Sequence, residues 1–345
     1  MTRLFDYNWK LSDGYPAKGM EEHGLKVFGT FICGGGSTMG YKLAGYNHLG
    51  GVEIDKKIAK VYKTNHNPKY LYTEDIRDFI NSNDLPDELY QLDILDGSPP
   101  CSTFSMAGSR EKAWGKEKIF AEGQKKQRLD DLFFEYIKLA QKLQPKVAIA
   151  ENVKGLILGN AKMYVSEILN RFADAGYKTQ IFLLNAASMG VPQKRERVFF
   201  IARRTDLPMP DIKLKFSEKP ILFGSVRSEK GKELLDGGKY KKLLEHRQEN
   251  DLSIADIYNR VYGYRSGMCN KLYNDRDVAA TITSSGCKFR MCDGMWLSDM
   301  DNIFCQTFPT DYNFCGVNVQ YVCGMSVPPV MMAQIANQIY LQWFK

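Results

Sequence analysis

The segment GSPPCSTFS, residues 97–105, sets a cysteine directly after two prolines at the end of the apolar run LDIL at 92–95. Each proline fixes φ and lacks a backbone donor, so a strand that runs into the pair must stop. Cys101 is therefore expected at a rigid strand end. In an open α/β sheet ligands bind at the carboxyl ends of strands, where a thiol faces a cleft as a nucleophile. The other reading of a single cysteine is a buried structural thiol before a turn. A second group of residues has the pattern of a cofactor site. FICGGGSTMG, residues 31–40, places three glycines where the backbone can approach a ligand at a helix N-terminus. Glu53 closes the run GVEI, where a carboxylate can accept ribose hydroxyls. Loop and acid together imply a nucleoside-containing cofactor without separating NAD from other adenosine cofactors. Asp75, in EDIR at 74–77, can accept from an adenine amino group or close a surface turn.

The elements that must hold these residues follow from periodicity. From 25 to about 202, short β-rich apolar runs alternate with helical spacing, the pattern of a parallel sheet with helices on both faces. The runs expected as strands are 25–31, 51–54, 92–96, 146–152, 178–185 and 197–202. Between them Leu132, Phe133, Tyr136, Ile137, Leu139, Ala140 and Leu143 fall on one helical stripe and are expected in the core. After Ala202 the alternation ends, and charge, prolines and a Tyr/Arg/Gly-rich stretch mark a smaller, more irregular domain. SVPPVMMAQIANQIYLQW, at 326–343, places prolines in a first helical turn before apolar residues spaced to pack back on the sheet.

Composition excludes several classes. The 345 residues are 44% hydrophobic and 25% charged, as in an ordinary globular protein with a large core. No stretch approaches the roughly 20 apolar residues of a membrane span, and the N-terminus has no secretory pattern. Eight cysteines without a secretion signal are expected to be reduced thiols in a cytoplasmic setting. No CxxC pair occurs, so no zinc site is expected. The net charge of +7 permits a nucleic-acid partner without requiring one.

With these motifs in their order, the chain resembles the C5-cytosine DNA methyltransferases of bacteria and phages, from Phe28 to about Tyr340. The glycine loop with Glu53 resembles the family's S-adenosyl-L-methionine site, and Asp75 with Ile76 the pair flanking the adenine. GSPPCSTFS resembles the Pro-Cys catalytic segment. AENV, at 150–153, resembles the Glu-Asn-Val motif, and QKRERVFFIA, at 193–202, the motif with two active-site arginines. RDVAATIT, at 276–283, and GMSVPP, at 324–329, resemble the last two. The resemblance implies catalytic roles for Cys101, Glu151, Asn152, Arg195 and Arg197. It implies cofactor contacts from Phe31, Ile32, Cys33, Gly35, Gly36, Glu53, Ile54, Asp75, Ile76, Ser98, Pro100, Leu132, Ser326 and Val327. Two positions depart from the pattern: Cys33 stands where the loop usually has its first glycine, and Met325 where the last motif usually has Asn.

The implied fold is α/β, a Rossmann-like methyltransferase sheet with a second, smaller target-recognition domain. The catalytic domain is expected at 1–202 plus 317–345 and the recognition domain at 203–316. The implied reaction is methylation of cytosine C5 in duplex DNA, with the base rotated out of the helix. Cys101 adds at C6 as a thiolate and makes C5 nucleophilic. Arg195 is the expected cationic neighbour of that thiolate and contact to the base carbonyl, while a protonated Glu151 donates to N3. Asn152 supports the loop, and the basic, glycine-containing segment 106–128 closes over the base. A monomer on DNA in a bacterial cytoplasm or a phage-infected host is expected, either alone or beside a cognate restriction endonuclease. Methylation of a tRNA cytosine, a catalytically inactive DNA-binding relative, and an NAD-dependent oxidoreductase are the competing readings.

Overall fold

The computed structural model describes residues 3–100, 131–158, 162–234, 238–264, 266–268 and 270–345. Cys101 and the segment 106–128 lie outside them. By backbone contact the chain forms two compact units. One comprises Met1–Gly14, Ala186–Arg195 and Phe216–Met331, the other Tyr15–Asn185, Glu196–Lys215 and Met332–Lys345. These borders differ from the functional division expected from sequence.

The second unit carries the sheet. Along the chain lie β1 (Lys26–Thr30), α1 (Gly36–Leu43), β2 (Asn47–Val52), α2 (Lys56–His66), β3 (Tyr70–Tyr72), α3 (Ile76–Asn81), β4 (Ile94–Gly97), α4 (Leu132–Leu143), β5 (Val147–Val153), α5 (Lys162–Asp174) and β6 (Tyr177–Asn185). A two-residue strand, β7 (Gln193–Lys194), belongs to the other unit and precedes β8 (Glu196–Arg204). Seven strands pair in the order β3-β2-β1-β4-β5-β8-β6. Strands β1 to β5 are mutually parallel. β8 runs antiparallel to both β5 and β6. The all-parallel expectation fails at β8 for a geometric reason: only ten residues, 186–195, separate β6 from β8, whereas a parallel crossover takes a dozen or more.

The strand order reverses between β1 and β4, which places the crevice for a ligand at the carboxyl ends of these strands. Packing there is close. A Cβ on Gly97 would stand 2.6 Å from Thr30 Oγ1 and 2.6 Å from the Tyr136 ring, so only glycine lets β4 end at this point. Beneath it, the α4 stripe is buried at the seven positions its spacing indicated and joins one apolar cluster with Phe28, Leu95, Ala148, Phe172 and Phe200. Each such side chain contributes on the order of 1.5–3 kcal/mol by leaving water. The C-terminal segment returns to this unit: Tyr46 Oη donates to Ala336 O (2.9 Å), and Trp343 Nε1 to Pro210 O (2.8 Å).

The other unit contains α6 (Lys239–Leu244), α7 (Ile254–Tyr262), the short strands β9 (Leu272–Tyr273), β10 (Ala279–Ala280) and β11 (Phe289–Arg290), and α8 (Asp299–Gln306) and α9 (Val319–Met325). The last helix, α10 (Pro329–Ile339), crosses the border between the units. Leu243, Leu244, Ile254, Ile257, Leu272 and Phe289 form a small core. Buried Asp301 organises a polar one, accepting from Ser228 N (2.7 Å) and Ser298 N (2.8 Å) beside Arg290 Nη1 (3.4 Å). With so little regular strand, side-chain hydrogen bonds do what ladders do elsewhere.

Candidate active site

The glycine-rich loop leaves β1 through three residues in the left-handed region, Phe31 (φ 54°), Cys33 (φ 47°) and Gly35 (φ 73°). Ile32 between them is buried. Gly35 is fixed twice over, because a Cβ there would also stand 2.2 Å from His66 Nε2. Cys33 explains why a glycine usually occupies its position: a side chain at positive φ costs roughly 1–2 kcal/mol. Its backbone N–H donates to Glu53 Oε2 (2.9 Å), and Asp55 N donates to Glu53 Oε1 (3.0 Å). Glu53 follows β2 directly, and burial pushes its carboxyl up to about 7 against the pull of these hydrogen bonds. A carboxylate has about four lone-pair sites, so capacity remains for a ribose hydroxyl. α1 begins at Gly36 and presents its N-terminal N–H groups beside this loop.

Of the other expected cofactor residues, Ile54, Asp75, Ile76, Ser98 and Pro100 follow the carboxyl ends of β2, β3 and β4. Asp75 caps α3, accepting from Arg77 N (2.9 Å) and pairing with Arg77 Nη1 (3.1 Å). Ile76, one residue on, is buried. Ile54 and Ser98 are partly buried, and Ser98 N donates to Thr30 O (3.4 Å) across the β1/β4 crevice. Pro100 is partly buried at the last described residue before Cys101. Leu132 faces the apolar core from the first turn of α4. The loop conformation, the half-buried acid and the helix N-terminus fit a nucleoside cofactor.

The catalytic candidates divide between the units. In the sheet, Asn152 is buried and donates from Nδ2 to Pro99 O (3.1 Å), while its Oδ1 accepts from Val153 N (2.8 Å). It thus ties β5 to the proline segment that leads to Cys101. Glu151 and Arg197 form an ion pair, Nε to Oε1 2.9 Å, with side chains 12% and 14% exposed. The register explains the meeting: Glu151 pairs with Phe199, so Arg197, two residues earlier on β8, projects from the same face. Burial pulls the Arg197 guanidinium below its ordinary value, and Glu151 opposes that pull.

Arg195 does something else. It is buried in the other unit, where Nη1 donates to Ile282 O (3.0 Å) and Nη2 to Gly324 O (3.1 Å) and Ser326 O (3.0 Å). Three backbone carbonyls hold its terminal nitrogens, and Cys101, the thiol it was expected to face, lies outside the described residues. The arginine that meets Glu151 is Arg197. Arg195 instead joins the motifs at 276–283 and 324–329, helped by Gln193, which donates to Cys305 O (2.9 Å) and accepts from Ile282 N (2.8 Å). These contacts use backbone oxygens on both sides of Met325, whose own side chain is 46% exposed. Val327 is buried, and Ser326 Oγ donates to Val322 O (2.8 Å).

One buried acid escaped the sequence reading. Asp96, the third residue of β4, accepts from Tyr41 Oη of α1 (3.2 Å) and is 6% exposed. Its signal was present in LDILDG, where an acid follows an apolar run that no solvent-facing alternation explains.

The doubly wound sheet, the left-handed glycine loop with half-buried Glu53 and the Glu151–Arg197 pair near Pro99 are features that suit an enzyme working with a nucleoside cofactor. A family model described as C-5 cytosine-specific DNA methylase matches residues 25–341, and the chain belongs to that family. Membership makes it a DNA (cytosine-5) methyltransferase and sets aside the oxidoreductase reading. The chain is 36% identical over 270 residues to the type II methyltransferase M.FnuDI of Fusobacterium nucleatum, covering 76% of this chain and 71% of that protein. It is 26% identical over 336 residues to M1.HphI of Haemophilus parahaemolyticus, covering 91% and 86%. It is also 34% identical over 283 residues to the orphan methyltransferase M.SPRI of Bacillus phage SPR, covering 72% and 59%. Three other relatives are longer, and the matches span 42% of M.DdeI, 44% of M.Sau96I and 51% of M.NgoPII. A solved structure titled as a prophage-encoded DNA modification methyltransferase of E. coli superposes with a TM-score of 0.67 at 18% identity, over 93% of this chain and all of that one. At that identity the likeness shows the fold.

Proposed function

We propose that this enzyme methylates C5 of a cytosine rotated out of duplex DNA, using S-adenosyl-L-methionine and a covalent bond from Cys101 to C6. When bound, the cofactor supplies the electrophilic methyl group, held by the loop 31–36, Glu53 and Asp75. The observation that carries the reading is the largely buried ion pair between Glu151 of β5 and Arg197 of β8, next to Asn152, which holds Pro99. That arrangement presents an acid and a guanidinium at one strand end, while the neighbouring strand leads to the nucleophile. Thiolate addition at C6 breaks the ring's conjugation and makes C5 an enamine carbon. Glu151 gives a proton to N3 as the sulfur adds, and Arg197 faces the carboxylate that results. Loss of the C5 proton and expulsion of Cys101 then release 5-methylcytosine.

Readout of the DNA sequence is assigned to side chains of 203–316, and closure over the base to 106–128. The working form is a monomer on DNA, in the cytoplasm of a bacterium or a phage-infected host. Among the described residues, no helix is long and apolar enough to cross a membrane. The relatives include both type II and orphan methyltransferases, so a cognate restriction endonuclease is a proposal to be tested separately.

The deciding experiment incubates the enzyme with labelled methyl donor and either duplex DNA or tRNA. Label in DNA supports the reading, and label confined to tRNA overturns it. A 5-fluorocytosine duplex should become covalently attached at Cys101, and Cys101→Ser should abolish both attachment and turnover.

A further inference from the structure

Among the described residues, Asp96 of β4, Glu151 of β5 and Arg197 of β8 share one face of the sheet. Asp96 of β4 pairs with Ile149 of β5, and Glu151 lies two residues beyond Ile149. Side chains two apart in a strand share a face, so Asp96 and Glu151 stand one diagonal step apart on the same side. Arg197 projects from that side too and pairs with Glu151 at 2.9 Å. One guanidinium neutralises one carboxylate. A second carboxylate in the same buried patch is an uncompensated charge, which costs more than keeping a proton.

Among the described residues, the other groups acting on Asp96 are neutral hydroxyls and phenols. Tyr41 Oη and the Ser37 hydroxyl, both on α1, hydrogen-bond to its carboxyl. Tyr62 of α2 and Tyr136 of α4 act on it from their own elements, and burial raises both phenols so that they stay neutral. Thr30 of β1 donates to the Asp96 backbone oxygen (3.3 Å). Burial first, and the Glu151 charge after it, push the Asp96 carboxyl up to about 7 while the hydroxyl donors oppose them.

We propose that Asp96 is a positioning residue for a proton: Asp96 and Glu151 share one negative charge opposite Arg197, so the pair keeps one proton for delivery to N3 of the target cytosine. This rests on the reading of Glu151 as the group that meets the base. During addition the thiolate's electron pair forms the S–C6 bond, the Glu151 O–H bond breaks, and an N3–H bond forms. The carboxylate left behind faces Arg197. Whichever of the two acids carries it, a second ionisation beside the first is costly, so one proton stays within the pair for the acid that the base reaches.

The test is the pH dependence of single-turnover methyl transfer to duplex DNA. Asp96→Asn keeps the shape and the acceptor for Tyr41 but leaves one acid against one guanidinium. Its alkaline limb should move to lower pH by about one unit, a roughly tenfold loss of rate above the limb with little change below it. Tyr41→Phe removes a donor that favours ionised Asp96, so its limb should move the other way. Infrared titration of the wild-type enzyme alone, without DNA or methyl donor, should show one more protonated carboxyl near pH 6 than Asp96→Asn does, Glu53 contributing equally to both. This readout stands even where a variant folds poorly. Unmoved limbs in both variants, or equal protonated-carboxyl signals in the wild type and Asp96→Asn, would overturn the proposal. Glu151→Gln separates the two levels of argument. A wild-type rate in Glu151→Gln defeats the reading of Glu151 and this proposal with it, whereas a slow Glu151→Gln with an unmoved Asp96→Asn limb defeats the role of Asp96 alone.

Discussion

Replacing Arg197 by alanine leaves Glu151 facing an emptied, buried space. The guanidinium Nε is 2.9 Å from Oε1, and both side chains are more than four-fifths buried. At an effective dielectric of about 20, the Coulomb attraction at that separation is roughly 5–6 kcal/mol, a gross figure from which the desolvation of both ions must be taken. Breaking a buried pair by removing one partner typically costs about 3–5 kcal/mol, because the survivor is left uncompensated. The partial exposure of both groups places the expectation at the lower end, near 3 kcal/mol for Arg197→Ala. Glu151→Gln together with Arg197→Ala should cost less than the sum of the two single changes by about 1–3 kcal/mol, since the double variant buries no lone charge. Urea unfolding of the four proteins at neutral pH, with m-values checked for constancy, measures that coupling. A coupling below about 0.5 kcal/mol would show that the two side chains act independently and that their contact organises nothing.

Three further predictions concern the framework. Glu53 is an acid whose folded-state value is raised from 4.5 to about 7, so the native state binds its proton more tightly than the unfolded chain and stability falls as pH rises through that window. Relative to Glu53→Gln, the wild type should lose up to about 3 kcal/mol between pH 4.5 and 7, and parallel stability curves would show that the burial argument is wrong. Gly97→Ala should destabilise by about 1–3 kcal/mol in thermal unfolding, because its methyl group meets Thr30 and Tyr136 at 2.6 Å; an unchanged Tm would mean that the crevice can widen. Arg195→Lys should lower stability by about 1–3 kcal/mol through lost carbonyl partners, whereas Arg197→Lys should act chiefly on turnover, and calorimetry beside methyl-transfer rates distinguishes the two.

Local pattern revealed much of the sheet unit. The α4 stripe and the β5 and β6 runs could be read because periodicity and apolar content act on neighbouring residues. β3 (Tyr70–Tyr72) is three partly buried residues, too short for any periodicity to register. The direction of β8 depends on how ten linking residues travel, which spacing alone does not encode. The two arginines of QKRER show the same limit within one motif. Two positions apart in sequence, they are bound in different units, one to carbonyls and the other to a carboxylate, and only long-range partners decide which. Asp96 was missed because its role comes from β5 and α1, neither adjacent to it in the chain.

The path of the backbone between the two units has a practical result. Each unit is assembled from three stretches of sequence, with borders after residues 14, 185, 195, 215 and 331. No single scission can release either part intact, and a chimera that takes its specificity from another enzyme must splice at several seams at once. Cut-and-join experiments at the apparent boundary near residue 202 should therefore yield insoluble halves, while exchanges confined to loops inside 216–331 keep every seam whole.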